Sequence, residues 1–82
     1  MKITLKFYGK LVEHLPKNSS KNQSVIEVPG SMSIEQLLDD YHVPQEQRHI
    51  VMVNGVHIMP EDRKKRLVSA SDSLAVWPPS TG

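Results

Sequence analysis

Leu74-Ala75-Val76-Trp77-Pro78-Pro79-Ser80-Thr81-Gly82 is an apolar run that meets two prolines and then three small residues, the last a glycine. Leu74 to Trp77 has the composition of a strand. Pro78 stops it, because a proline has no N–H to give to a sheet ladder. Most chains fray near their ends, yet here a strand is expected almost at the last residue. A stiff Pro78-Pro79 step would hold Ser80, Thr81 and Gly82 away from the body. A tail of this kind suits insertion into a narrow channel of another protein, and its functional group would be the carboxylate of Gly82.

Working back from this strand, the opposite end of the chain supplies a matching one. Ile3, Leu5 and Phe7 alternate with Lys2, Thr4 and Lys6, the pattern of a strand with one buried and one wet face. Gly9 ends it, and Leu11, Val12 and Leu15 offer helical spacing in a short segment closed by Pro16. Lys17 to Gln23 is polar and turn-rich and reads as an exposed loop. Ser24 to Val28 is a second strand, stopped by Pro29-Gly30. The two strands make an antiparallel opening hairpin.

Ser33 is placed as a helix N-cap, with Gln36 three residues on completing a capping box. Ile34, Leu37, Leu38 and Tyr41 share one helical face, and Pro44 bounds the helix. Ile50 to Val53 is a nearly all-apolar strand, and Asn54-Gly55 is a strong hairpin-turn signal. Val56, Ile58 and Met59 are the expected partner strand. Pro60 to Arg66 reads as one irregular helical turn, Leu67-Val68 as a short edge strand, and Ser71-Asp72-Ser73 as the turn before the closing strand.

The order is strand, strand, helix, strand, strand, strand. One helix on one sheet face makes a two-layer α+β domain. The first and last strands are both apolar and are expected to pair in parallel at the sheet centre. That arrangement is a β-grasp, with a mixed sheet of four to five strands and one main helix. It occupies residues 1–79, with 80–82 as a tail, and there is no internal repeat or domain boundary.

Bulk properties narrow the function. The 82 residues carry a formal net charge of +1, too small for an electrostatic nucleic-acid footprint, and Phe7, Tyr8, Tyr41 and Trp77 are too few aromatics for a base-stacking platform. No apolar run approaches the roughly 18 residues of a membrane helix, and the alternating start is unlike a signal peptide. With no cysteine, disulfides, zinc-thiolate sites and thiol nucleophiles are excluded. The expectation is a cytoplasmic protein without nucleic-acid or membrane partners.

With these elements placed, the chain resembles the MoaD/ThiS family of ubiquitin-like sulfur carriers. Four segments in order carry the resemblance: Met1 to Gly9, Ser33 to Leu38, Val51 to Gly55 and Ser71 to Pro79. The start and the Pro-Pro ending look closer to the molybdopterin-synthase small subunit than to the thiamine carriers. The resemblance implies that a ubiquitin-activating-like enzyme uses ATP to adenylate the terminal glycine. A sulfur donor then converts the acyl-adenylate to a thiocarboxylate, which delivers sulfur to a cofactor precursor. The chain itself would bind no cofactor and no metal and would act as a protein co-substrate, or as the small subunit of a synthase beside a large one. The tail residues Pro78, Pro79, Ser80 and Thr81 would enter the partner. Two readings of other classes stay open: a ubiquitin-like modifier conjugated to lysines, and a β-grasp interaction module without thiocarboxylate chemistry.

One residue departs from the family's pattern. Members end on two glycines, and here the penultimate residue is the β-branched Thr81. Either a further glycine follows in nature, or Thr81-Gly82 is itself the working end, or the chemistry has been lost and the fold kept.

The remaining constellations are read mainly as structural. His14, His42, His49 and His57 lack metal-ligand spacing. Glu35, Asp39 and Asp40 read as solvated, and Met52 and Met59 as core. The run Arg63-Lys64-Lys65-Arg66 reads as a solvated turn, or as a patch that steers docking on an acidic partner. Trp77 is either a core residue of the closing strand or an exposed anchor at the root of the tail, where Phe7 and Val53 would join it in a partner surface.

Overall fold

A computed structural model of the chain describes residues 1–79. Ser80, Thr81 and Gly82, and with them the expectations for the tail's end, lie outside the described residues. The alternation at the start forms strand β1 (Lys2–Phe7), which buries Ile3, Leu5 and Phe7. β2 (Gln23–Glu27) returns antiparallel to it, with Leu5 opposite Ser24 and Ile3 opposite Ile26. A 3₁₀ turn over Gly9–His14 intervenes and buries Leu11.

The helix α1 (Ile34–Asp40) buries Ile34, Leu37 and Leu38 against the sheet. Ser33 caps it as expected, its Oγ accepting from the Gln36 N–H at 3.1 Å. The two preceding N–H groups, of Ile34 and Glu35, donate to the carbonyls of Arg66 and Arg63. The orphan donors of this short helix are thus met by the segment that follows β4. At the other end the Val43 N–H reaches the Leu38 carbonyl and the His42 N–H reaches Asp39, with His42 in the left-handed region at φ +61°. This is a Schellman closure, with histidine where glycine is the usual choice.

β3 (Ile50–Val53) and β4 (Val56–His57) form the Asn54-Gly55 hairpin. β5 (Ser73–Trp77) closes the sheet, which has five strands in the order β2-β1-β5-β3-β4. β5 runs parallel to β1, with Leu5 beside Leu74 and Phe7 beside Val76, and antiparallel to β3, with Val51 opposite Val76 and Ile50 opposite Trp77. The first and last strands therefore meet at the sheet centre, and the helix covers one face. That is the expected β-grasp.

Two local expectations need correction. Leu67-Val68 is not a strand: Leu67 makes one isolated bridge to Ser33, which leaves its own side chain exposed and Val68 buried. β4 stops at His57, because Met59 leads into a 3₁₀ turn at Pro60–Asp62 and Pro60 cannot donate to a ladder. Among the described residues no helix is long and apolar enough to cross a membrane, and no cluster of His, Cys, Asp and Glu is placed to hold a metal ion.

Candidate functional site at the root of the tail

The strand period decides which side chains surround the tail's root. In β5, Leu74 and Val76 face the helix, which puts Ala75 and Trp77 on the open face. In β3, Val51 and Val53 face the helix, which puts Ile50 and Met52 on the open face. Register then sets Ile50 beside Trp77 and Met52 beside Ala75. The result is an open, mostly apolar groove of about 330 Å³, lined by His49, Ile50, Met52, Trp77 and Pro78. It lies where β5 ends.

The same point is fixed from the β1 side. Tyr8 and Trp77 stack face to face, with ring centroids 4.4 Å apart and planes 1° from parallel. The Tyr8 N–H donates to the Val76 carbonyl and the His49 N–H to the Trp77 carbonyl, each at 3.1 Å. The end of β5 is therefore held at the Val76 carbonyl from the β1 side and at the Trp77 carbonyl from the β3 side, and the Trp77 ring by the Tyr8 ring. Gly9 then turns the chain away at φ +57°, and a Cβ there would stand only 3.1 Å from Cγ of Pro78. The absence of a side chain at Gly9 gives the first proline of the tail its seat.

The expected partner surface is corrected by this geometry. Phe7 is 0% and Val53 2% exposed, because each shares the helix-facing side of its strand with the core residues two positions away. Neither side chain is available to a partner. Trp77 is half-buried on the open face and, with Pro78, borders the groove. Met52 is half-buried and Met59 exposed, so neither is core. Tyr8, His49 and Ile50 belong to the site and were not anticipated. The signal was present in β3, where residues of both parities are apolar: one set had to line the core and the other an apolar outer face.

The basic run also divides. Arg63 is only 5% exposed, and its Nε and Nη1 donate to the carbonyls of Ile58 and Arg48 at 3.2 and 2.9 Å. Burial, and then the neighbouring Arg48 charge, lower its pKa from the ordinary guanidinium range, partly offset by Glu35 and Glu61. Lys64 and Lys65 are exposed and Arg66 is half-buried. Arg66 Nη2 pairs with Asp72 Oδ2 at 3.7 Å, so any docking charge comes first from Lys64 and Lys65 and not from Arg63. Arg48 is likewise buried, bonding the Val43 carbonyl and Asp39 Oδ1. Asp39, read as merely solvated, holds this ion pair at 2.7 Å.

Comparison with known proteins agrees with this architecture. No curated protein matches the chain at a significant level. Among solved structures, SAMP1 of Haloferax volcanii is similar with a TM-score of 0.67 at 21% identity, over 100% of this chain and 99% of that one. The thiamine biosynthesis protein ThiS of Geobacter metallireducens has a TM-score of 0.67 at 18% identity, over 100% and 99%. A second structure of the Haloferax volcanii small archaeal modifier protein 1 has a TM-score of 0.65 at 18% identity, over 95% and 97%. At these identities the likeness is one of fold, the ubiquitin-like β-grasp. The ThiS family profile matches residues 5–82, so nearly the whole chain, from the middle of β1 to Gly82, belongs to the ThiS family.

Proposed function

We propose that the protein is a sulfur carrier that works through its C-terminal glycine. The observation that carries this reading is the family match, which extends over residues 5–82. The site geometry supports it. The closing strand is anchored at the Val76 carbonyl on the β1 side and at the Trp77 carbonyl on the β3 side, and Pro78 and Pro79 follow directly, with a restricted backbone that reduces the entropy lost when a tail enters a channel.

The chemistry follows from the weakness of a carboxylate as an electrophile. A carboxylate oxygen of the terminal glycine attacks the α-phosphorus of ATP in the partner's site, and pyrophosphate leaves. The acyl-adenylate carbon now bears a good leaving group. Hydrosulfide attacks it, AMP departs with the bonding electron pair, and loss of the sulfur-borne proton leaves a thiocarboxylate. The partner, a ubiquitin-activating-like adenylyltransferase, supplies oxyanion donors and excludes water. A glycine at the reacting position leaves room for that enclosure. The carrier contributes the reacting group and a docking surface, in which the groove beside Trp77 takes an apolar side chain of the partner. The acceptor in this reading is a cofactor precursor, with that of molybdopterin favoured by the Pro-Pro ending and that of the thiamine thiazole next.

A modifier reading is supported by one observation, the similarity in fold to small archaeal modifier protein 1. It shares the adenylation step and differs in the acceptor, a lysine amine. Pyrophosphate exchange into ATP, measured with the cognate activating enzyme, tests the common step: exchange is expected with the intact chain, or with a version extended by one glycine, and is lost on deletion of the terminal glycine. Exchange that survives the deletion contradicts the proposal. High-mass conjugates in a lysate would favour the modifier.

A further inference from the structure

We infer that Tyr8 and Gly9 are positioning residues for the tail. They set the direction in which the reactive end leaves the sheet and touch neither the reacting atoms nor the partner's chemistry. This inference rests on the carrier reading of the previous section. Three contacts meet at one corner: the Tyr8 ring lies parallel on Trp77 at 4.4 Å, the Tyr8 N–H holds the Val76 carbonyl, and the bare Cα of Gly9 receives Pro78. All three act on the last residues of β5 and the first of the tail.

Proline chemistry makes this corner matter beyond its own size. Pro78 has a fixed φ, and as the residue before Pro79 it is confined to extended backbone. The pair behaves as a short rod. A rod transmits a tilt at its base and does not absorb it. Fixing the Trp77 ring and seating Pro78 therefore sets the direction of Pro79, the last residue of the rod. A reacting atom displaced by about 1 Å from its attack geometry can cost on the order of a hundredfold in rate. A tail launched at the wrong angle would thus dock and then react slowly.

That distinction supplies the test. Pyrophosphate exchange is measured with the cognate activating enzyme, over a range of carrier concentrations, for the wild type, Tyr8→Ala, Tyr8→Phe and Gly9→Ala. The wild type, or the same chain extended by one glycine, must first support exchange, and the variants are made in the form that does; if neither does, the carrier reading fails and this inference falls with it. Given exchange, Tyr8→Ala and Gly9→Ala are expected to lower kcat by about tenfold or more with KM within about twofold of wild type, the pattern of an interaction that serves the transition state. Tyr8→Phe keeps the stacked ring and is expected to restore kcat. A rise in KM at unchanged kcat would make Tyr8 a docking contact and overturn the inference. Unchanged kcat in both Tyr8→Ala and Gly9→Ala would overturn it as well. Should Tyr8→Ala fail to fold by circular dichroism, the comparison of Gly9→Ala with wild type decides alone.

Discussion

Asn54 and Asp72 clasp the start of the closing strand: Asn54 Nδ2 donates to Asp72 Oδ1 at 2.8 Å, while Asn54 Oδ1 accepts from the Ser73 N–H at 2.9 Å. Asp72 is buried and also accepts from the Ser69 N–H at 2.7 Å. One side chain from the β3–β4 turn therefore fixes where β5 begins. Asp72→Ala leaves the Asn54 amide and the Ser69 N–H without this partner. It is expected to cost about 2 kcal/mol in urea unfolding. A double-mutant cycle with Asn54→Ala should give a coupling of about 1 kcal/mol, and a coupling near zero would remove the clasp from the account.

Arg63 makes a second such tie. Its guanidinium joins the carbonyls of Ile58 and Arg48, while its own carbonyl accepts from the helix at Glu35. Arg63→Ala is expected to destabilise by about 2–3 kcal/mol, since buried carbonyls lose charged donors. Arg63→Lys should recover little of it, because a lysine cannot reproduce the planar fork. The exposed neighbours Lys64 and Lys65 should tolerate alanine within about 0.5 kcal/mol. Equal effects at all three positions would show the run to be one solvated unit.

His42 offers a stabilising change. It sits at φ +61° after α1, a conformation that costs an L-residue with a Cβ roughly 1 kcal/mol and costs glycine nothing. His42→Gly is expected to raise stability by ~0.5–1 kcal/mol, part of the gain being returned through the freer unfolded chain. A loss of stability would mean that the imidazole contributes more than the backbone strain removes.

Tyr41 gives the fold an alkaline limb. Its burial, and then the Asp40 carboxylate, raise the phenol above its ordinary 10.0. As pH rises through that value the unfolded chain loses the proton first, so stability present below pH 10 declines up to the raised native pKa. Tyr41→Phe should flatten this decline, read as the urea midpoint at pH 8 and above pH 10. An unchanged slope would contradict it.

The parts of the fold carried by period were legible in the residues. β1 alternates, the helix keeps its apolar stripe between Ser33 and Pro44, and the Asn54-Gly55 turn announces its hairpin. The parallel pairing of β1 with β5 followed from element order. The site was read less well, for physical reasons. Phe7 lies beside Val76 near the tail's root and Val53 opposite Leu74 at the far end of β5, and the parity of both assigns them to the helix side with Leu5 and Val51. Arg63 looks like its neighbours in sequence, and only the 3₁₀ turn and the return of the backbone to the helix put it inside. The Tyr8–Trp77 stack joins opposite ends of the chain, so no local pattern could reveal it.

Trp77 should separate docking from folding. It stacks on Tyr8 and borders the groove but is only half-buried. Trp77→Ala is expected to lower stability by about 1–2 kcal/mol, from the lost aromatic pair and some packing, to lower kcat as Tyr8→Ala does because the same stack is lost, and, unlike Tyr8→Ala, to raise the KM of the carrier for its activating enzyme by tenfold or more, in the range of an interface hot spot of about 2 kcal/mol. A KM unchanged in a folded Trp77→Ala variant would place docking elsewhere.

Intact-mass analysis decides whether a glycine at the end of this chain becomes the proposed thiocarboxylate. The chain, and the same chain extended by one glycine, are incubated with the cognate activating enzyme, ATP and a sulfur donor. A mass increase equal to one sulfur replacing one oxygen is expected, localised by fragmentation to the last glycine of at least one of the two. If neither protein gains that mass while the enzyme activates another carrier in the same mixture, the account is contradicted.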